Sequence, residues 1–255
     1  MENFDIKKKR AELRRKVKRR SLIKSISLFS LLFFTIILSL KVFSKEEAFI
    51  NSKVITSGIS SSQKIICIDP GHGDWDSGSI GYSNSYEKDI VLNISLLLGN
   101  LLEENNYKVV YTRTNDYLPH IKTANESLKE RLKISETFKA DLFISIHCNS
   151  DYNSKDTKGV ETWYNPTIED SLDIATIIQS NLASLNYTED RGLKTYYKKE
   201  DGFAVLEKNS AAPVLVELGF LSNYLDEKLL TSENGQTLLA ESLAKSVSEY
   251  FSNEN

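Results

Sequence analysis

The chain has 255 residues, with an apolar fraction of 40% and a charged fraction of 26% that are ordinary for a globular protein. Residues 1–24 carry 11 Lys and Arg against 3 Asp and Glu, which leaves the remainder with 21 basic and 32 acidic residues. Such an acidic main body argues against nucleic acid as the partner. Two cysteines are too few for a disulfide-stapled scaffold, so the fold has to rely on an apolar core.

The first predicted element is an apolar helix behind the basic segment. Residues 25–40, SISLFSLLFFTIILSL, hold no charge, and as a helix they would span roughly 24 Å of a ~30 Å hydrocarbon core. Flanking lysines can snorkel, which extends the membrane segment to 21–43. The positive-inside rule then predicts a single-pass cell-membrane protein with residues 1–20 in the cytoplasm and the rest outside.

A second interpretation of the same segment stays open. Val42 and Ser44 are small enough for a signal-peptide cleavage site, and cleavage after Ser44 would release a secreted protein. Both interpretations predict export. Residues 44–62 are polar and Ser-rich and are typical of a linker, which leaves 63–255 as one folded domain.

Within the domain, strand-like and helix-like segments alternate. The strand-like segments are 64–69, 108–113, 141–147, 159–165 and 212–220, and the helical segments are 87–106, 125–139, 167–186 and 234–251. Asn125 is the expected cap of the second helix. The alternation predicts an α/β fold: a single three-layer domain with a mostly parallel sheet flanked by helices, preceded by the N-terminal transmembrane helix.

Candidate site residues fall where these strands end. His72 follows the first strand, His147 closes the strand 141–147, and Glu217 lies at the end of APVLVE. Open α/β sheets bind ligands at the carboxyl ends of their strands. Glu87 begins the first helix, whose dipole favours a carboxylate. Two imidazoles and a carboxylate with an open fourth position are the ligands of a catalytic zinc site.

Each of these residues also has an ordinary structural interpretation. A single histidine near a strand end is most often hydrogen-bonded and structural, and Glu87 alone suits any first helical turn. Glu217 is different, because an unpaired carboxylate in VLVELGF would cost several kcal/mol or become protonated. A nearby cation and a substrate pocket would explain it.

The ordered motifs IDPGHGDWDSGSIG…YEKD, TRTND, ADLFISIHCNS, GVETWYN and VLVELGFLSN resemble those of the zinc-dependent N-acetylmuramoyl-L-alanine amidases of type 3. The resemblance extends from about Lys64 to Phe251. It implies that His72, Glu87 and His147 bind Zn²⁺ and that Glu217 is the catalytic residue.

The substrate implied by the resemblance is peptidoglycan. The bond would be the amide between N-acetylmuramic acid and L-alanine of the stem peptide, with Glu217 as general base and then general acid. The resemblance also implies that Gly71 and Gly73 allow a turn that points His72 into the cleft. Asp74 and Asp76 are candidates for hydrogen-bonding the His72 ring and orienting it. Residues 77–86 are expected to form a loop that places Glu87 at the site.

Two departures from the family pattern affect the expected site. Ser135 and Glu136 stand where relatives commonly carry an Ala-Asn pair. The strand 159–165 also runs almost directly into the next helix, which leaves no room for the inhibitory helix that some relatives insert there.

Two other functions remain open: a catalytically silent wall-binding scaffold, and a zinc carboxypeptidase or deacetylase acting on peptidoglycan. The anchored format resembles the membrane-anchored spore-cortex amidases, which favours a role in cortex maturation, and cell separation or wall turnover stays open as an alternative. The expected partners are peptidoglycan, the cytoplasmic membrane and a protein activator, without nucleic acid.

Overall fold

The computed structural model describes residues 63–118, 120–196 and 203–253. The predicted cytoplasmic segment 1–20, the membrane segment 21–43 and the linker 44–62 lie outside these ranges. Within the described ranges, no helix combines the length and the apolar character needed to cross a membrane.

The described part of the chain forms six strands and six helices. The strands are β1 Ile65–Pro70, β2 Lys108–Tyr111, β3 Leu142–Asn149, β4 Val160–Tyr164, β5 Asp190–Lys194 and β6 Ala212–Phe220. The helices are α1 Glu87–Glu104, α2 Ala124–Phe138, α3 Glu169–Ser184, α4 Ala204–Glu207, α5 Tyr224–Leu230 and α6 Glu233–Asn253.

All six strands belong to one sheet in the order β2-β1-β3-β6-β4-β5. The first four strands in this order pair in parallel. β4 pairs antiparallel with β6 and parallel with β5, so the two strands at one side run the opposite way. The predicted mostly parallel α/β sheet is confirmed. The sequence does not predict that β4 pairs antiparallel with β6.

Apolar side chains cover both faces of the central strands. Ile66 and Ile68 of β1 belong to one core cluster with residues of α1, α3 and α6, whereas Cys67 between them belongs to a second cluster that includes Val205 and Leu206 of α4. A strand buried on both faces needs a continuous apolar run, as IICI provides. The sheet therefore lies between two helical layers, as the sequence predicts.

Local signals explain where the predicted elements differ from the structure. α2 begins after Thr123, not Asn125: the Thr123 side chain accepts from the Glu126 backbone N–H, and the Glu126 carboxylate accepts from the Thr123 N–H. The sequence patterns do not predict β5, α4 or α5. β5 is a short polar edge strand, and α4 is a single helical turn.

The α1 core face gives a testable stability prediction. Leu98 is fully buried in the larger core cluster, so Leu98→Ala should lower the free energy of unfolding by about 2–5 kcal/mol. Chemical denaturation of the full-length chain measures the loss. Leu238→Ala on α6 is the matched control, because Leu238 is 37% exposed and should lose far less. Equal losses in the two variants would contradict the assigned core face.

Candidate metal centre and catalytic cleft

Three residues that lie far apart in the sequence meet at one edge of the sheet. The metal-binding atoms of His72, Glu87 and His147 all lie within 4.8 Å of one another. Glu87 Oε1 lies 3.1 Å from His72 Nε2 and 3.0 Å from His147 Nδ1. The two imidazole rings stand edge to face, with centroids 4.8 Å apart. The expected cluster of two imidazoles and a carboxylate is therefore present as a geometric arrangement.

His72 lies in the turn after β1 with a backbone φ of 58°. Its Nδ1 lies 2.9 Å from Asp76 Oδ2, and Gly73 continues the turn with a φ of 124°. Asp76 thus orients the ring, as predicted. Asp74 does not: its carboxylate accepts from the Leu118 backbone N–H and fastens the turn to a neighbouring segment.

Gly71 matters to the site because it has no side chain. Its φ does not lie in the left-handed region, but a Cβ there would lie 2.3 Å from His147 Cε1. The prediction that Gly71 is needed for backbone turning is therefore wrong, and the physical reason is the imidazole packed against it. Gly78 plays a similar part, since its Cβ would lie 2.6 Å from both Glu87 Oε2 and His72 Cδ2.

Glu87 is the first residue of α1 and is 2% exposed. Oε1 accepts a hydrogen bond from the Cys148 backbone N–H, and Oε2 accepts one from that of Ser79. Its own N–H donates to the Ser79 carbonyl, so the loop 77–86 holds the carboxylate in place, as predicted. Burial alone would raise the pKa of Glu87, but hydrogen bonds and charge from His147 and His72 outweigh it and lower the pKa.

The same contacts act on His72. Burial would lower the pKa of its imidazole, while hydrogen bonds and the charges of Glu87 and Asp76 raise it, and the net shift is upward. His147 projects from β3, next to a shift in register between His147 and Asn149 where β3 pairs with β6. Such irregularities are frequent beside active sites, where they redirect a side chain.

Glu217 is the sixth of nine residues in β6, directly opposite His147 on β3 and Glu161 on β4. Glu217 lies within the strand that the sequence predicts over 212–220, because pairing with β3 continues to Phe220. Its Oε2 atom is shielded from solvent and has no hydrogen-bond partner among the described residues. Burial, with the negative charges of Glu87 and Glu161, raises the pKa of Glu217 well above its ordinary value.

A cleft of about 420 Å³ opens over these residues. His72, His147 and Glu217 line it on the polar side. Leu128, Phe203 and Val205 contribute apolar walls. Apolar walls around a few converging polar groups are typical of a small-molecule or substrate site.

The residues of the cluster fit a divalent cation. Two imidazole nitrogens and a buried carboxylate oxygen are the donors that zinc prefers, and three protein ligands leave a position open. Because Gly71 and Gly78 have no side chain, the side chains of the three proposed ligands can pack closely against them. Glu217 lines the same cleft, and one of its oxygens has no hydrogen-bond partner in the described part of the chain, so its carboxyl group is available for the acid–base work that the three ligands would not do.

Two buried arginines that the sequence patterns do not single out hold the backbone around His72. Arg113 donates to the carbonyls of Pro70 and Gly71. Arg131 forms an ion pair with Asp69 and donates to the carbonyl of His72. Arg113 lies within the TRTND motif, and this motif is the sequence signal that could have identified it.

The departure at Ser135 has a local explanation. Ser135 is buried, and its hydroxyl donates to Asn209 Oδ1 over 2.8 Å. Glu136 is exposed. The side-chain amide that contacts this part of α2 therefore comes from Asn209, which follows α4 in the chain.

Comparison with known proteins gives a consistent result. A protein from Bacillus subtilis named YqiI is 36% identical over 190 residues, covering 74% of this chain and 85% of that protein. The germination-specific N-acetylmuramoyl-L-alanine amidase of the same species is 30% identical, covering 74% and 81%. The amidase LytC is 37% identical, but the match covers 31% of its length.

Solved structures agree with the relatives. The CwlD amidase from Clostridioides difficile, in complex with the GerS lipoprotein, has a TM-score of 0.69 and 34% identity over 74% of this chain and 99% of that chain. The catalytic domain of CwlV from Bacillus (Paenibacillus) polymyxa gives 0.66 and 33%, with 74% and 99% covered. Residues 66–249 match the sequence profile of the N-acetylmuramoyl-L-alanine amidases, and the chain belongs to that family.

Proposed function

We propose that this chain is a zinc-dependent peptidoglycan hydrolase that cleaves the amide bond between N-acetylmuramic acid and L-alanine of the stem peptide. The observation that carries the proposal is the cluster of His72, Glu87 and His147 beside Glu217, one oxygen of which has no hydrogen-bond partner among the residues that the structure describes. Family membership supports the substrate and the bond. His72, Glu87 and His147 would hold the zinc ion.

Zinc bound there would supply a Lewis acid that activates water and polarises a carbonyl. Glu217 accepts a proton from the attacking water and later returns it to the departing amine of L-alanine. The water oxygen then belongs to the new lactyl carboxyl group, and the carbon–nitrogen bond is broken. Burial and the negative charges of Glu87 and Glu161 raise the pKa of Glu217, and a raised pKa makes a carboxyl group a stronger base toward the attacking water.

The cleft is compatible with direct access to substrate. Only residues 165–168 separate β4 from α3, which supports the expectation that no inhibitory helix is inserted at this point. Control of activity would then act through metal retention, substrate delivery or a partner. The CwlD amidase of Clostridioides difficile forms a complex with the GerS lipoprotein, which supports the proposal of a protein partner here.

Two substitutions separate metal binding from catalysis. His72→Ala should lose zinc and, with it, activity. Glu217→Gln should keep zinc near one ion per chain, because it leaves the three proposed ligands intact, but should lower the rate of amide cleavage by at least about 10²–10⁴-fold. Elemental analysis of the purified chain measures zinc, and release of stem peptide from purified peptidoglycan measures the rate.

Other outcomes would identify a different function or site. Glu217→Gln with wild-type turnover would contradict the catalytic assignment, and zinc loss equal to that of His72→Ala would make Glu217 a ligand. A wild-type chain that holds zinc but only binds peptidoglycan would indicate a wall-binding scaffold. Release of a terminal amino acid or of acetate instead would indicate a carboxypeptidase or deacetylase.

We also propose that residues 21–43 anchor the protein in the cytoplasmic membrane, with 1–20 inside and the domain at 63–255 outside. A fusion after residue 62 to a reporter that works only outside the cytoplasm should be active, and the same fusion lacking 21–43 should not. A reporter that works only in the cytoplasm should be inactive at the same position. An active cytoplasmic reporter would refute this topology. Mass measurement of the mature chain separates an uncleaved anchor from cleavage after Ser44.

Spore-cortex maturation is the proposed role, supported by similarity to the germination-specific amidase. A strain that lacks the protein should contain fewer cortex muramic acid residues free of stem peptide, and the Glu217→Gln chain should not restore them. Mass spectrometry of muropeptides from spores and from vegetative walls measures this. A change confined to vegetative walls would assign the enzyme to wall turnover instead.

A further inference from the structure

Arg113 is a buried cation whose hydrogen bonds connect two parts of the site. It follows β2 and is 5% exposed. Its Nε donates to the Pro70 carbonyl over 3.0 Å. Its Nη2 donates to the Gly71 carbonyl over 2.8 Å and to the Lys88 carbonyl over 2.7 Å. One nitrogen thus bridges the turn after β1 and the first turn of α1.

The two bridged carbonyls are adjacent to proposed zinc ligands. Gly71 directly precedes His72, and Lys88 directly follows Glu87. A single guanidinium therefore links the two backbone segments next to the ligands, and the Lys88 ammonium adds a second link by donating to the Asp74 carbonyl. A change in the separation between these segments would move the His72 imidazole relative to the Glu87 carboxylate.

The His72 backbone needs such support. Its φ of 58° lies in the left-handed region, which a non-glycine residue adopts only at an energetic cost and only where its surroundings impose it. Arg131 supplies the other side of this support, donating to the His72 carbonyl over 2.6 Å and to the Pro70 carbonyl over 2.8 Å. The peptide units on both sides of His72 are thereby hydrogen-bonded.

Arginine is chemically suited to this position. A planar guanidinium offers five N–H donors in a fixed fork and keeps its charge, whereas lysine offers a single point charge. Burial and the nearby charge of Arg131 lower the pKa of Arg113 to about 10, so it remains a cation near neutral pH. Within the described ranges, the hydrogen bonds that Arg113 donates go to carbonyls and none goes to a carboxylate.

We propose that Arg113 is a positioning residue that sets the spacing between His72 and Glu87 and thereby the affinity for zinc and the geometry of its binding. Arg131 supports the same unit from the far side of His72. The proposal rests on the proposed zinc site, and it adds a residue that lies outside the three ligands and Glu217.

The test is zinc affinity of the full-length Arg113→Met chain, measured by competition with a chromophoric chelator. Methionine keeps much of the side-chain volume but donates nothing. Loss of support behind metal ligands typically weakens metal affinity by 10–100-fold, and we expect a loss in that range. The visible absorption spectrum of the Co²⁺-loaded chain should change as well. Arg113→Lys should give an intermediate affinity, since one ammonium cannot reproduce the fork.

Leu243→Ala is the control for general destabilisation. Leu243 is fully buried on α6 in the core cluster away from the cleft, so this variant should lower the melting temperature but keep wild-type zinc affinity and the wild-type Co²⁺ spectrum. If Arg113→Met also keeps both, Arg113 is merely structural and the proposal is wrong. If Arg113→Met does not fold, Arg113→Lys decides, and wild-type affinity and spectrum in that variant would overturn the proposal.

These readouts are independent of peptidoglycan cleavage. A wild-type chain that binds zinc tightly but cleaves nothing would refute the proposed activity, while weaker binding by Arg113→Met would still support the positioning role. A wild-type chain that binds no zinc would overturn both.

Discussion

The buried carboxylate of Glu87 is the constraint on which the site depends. A charged group that is 2% exposed is stable only if its oxygens are fully partnered. Two imidazoles and the backbone N–H groups of Ser79 and Cys148 provide the partners. These donors come from the turn after β1, the loop before α1 and the strand β3. The contacts that stabilise the buried Glu87 carboxylate therefore also bring together the three residues of the candidate metal centre.

The order of strands explains how these donors come together. β1, β3 and β6 are adjacent and parallel, so their carboxyl ends lie at one edge of the sheet. The antiparallel strand β4 then places Glu161 opposite Glu217. Glu161 accepts hydrogen bonds from Asn149, Trp163 and Arg191, whereas one oxygen of Glu217 has no partner among the described residues. Neighbouring carboxyl groups thus have different environments, and the unpartnered one faces the cleft.

Much of this arrangement could be predicted from the sequence, because the signals are local. The strand 212–220 is predicted with its observed bounds. The first helix is predicted from apolar residues such as Ile94 and Leu98 that recur with helical spacing, and both are buried. Polar residues such as His147 and Glu217 stand out within or at the end of apolar runs, and the ordered motifs add the roles that the family resemblance implies. Amino-acid type and local spacing carry the information on strands and helices, and the order of the motifs along the chain carries the family resemblance.

The tertiary structure decided what depends on residues far apart in the chain. Whether His147 and Glu217 lie opposite each other depends on the register in which β3 pairs with β6, and these two strands are far apart in the chain. The hydrogen bond from Arg113 to Pro70 spans 43 residues, and that from Arg131 to His72 spans 59. Because the acceptors are backbone carbonyls, which every residue carries, no side-chain pattern in the sequence could identify them.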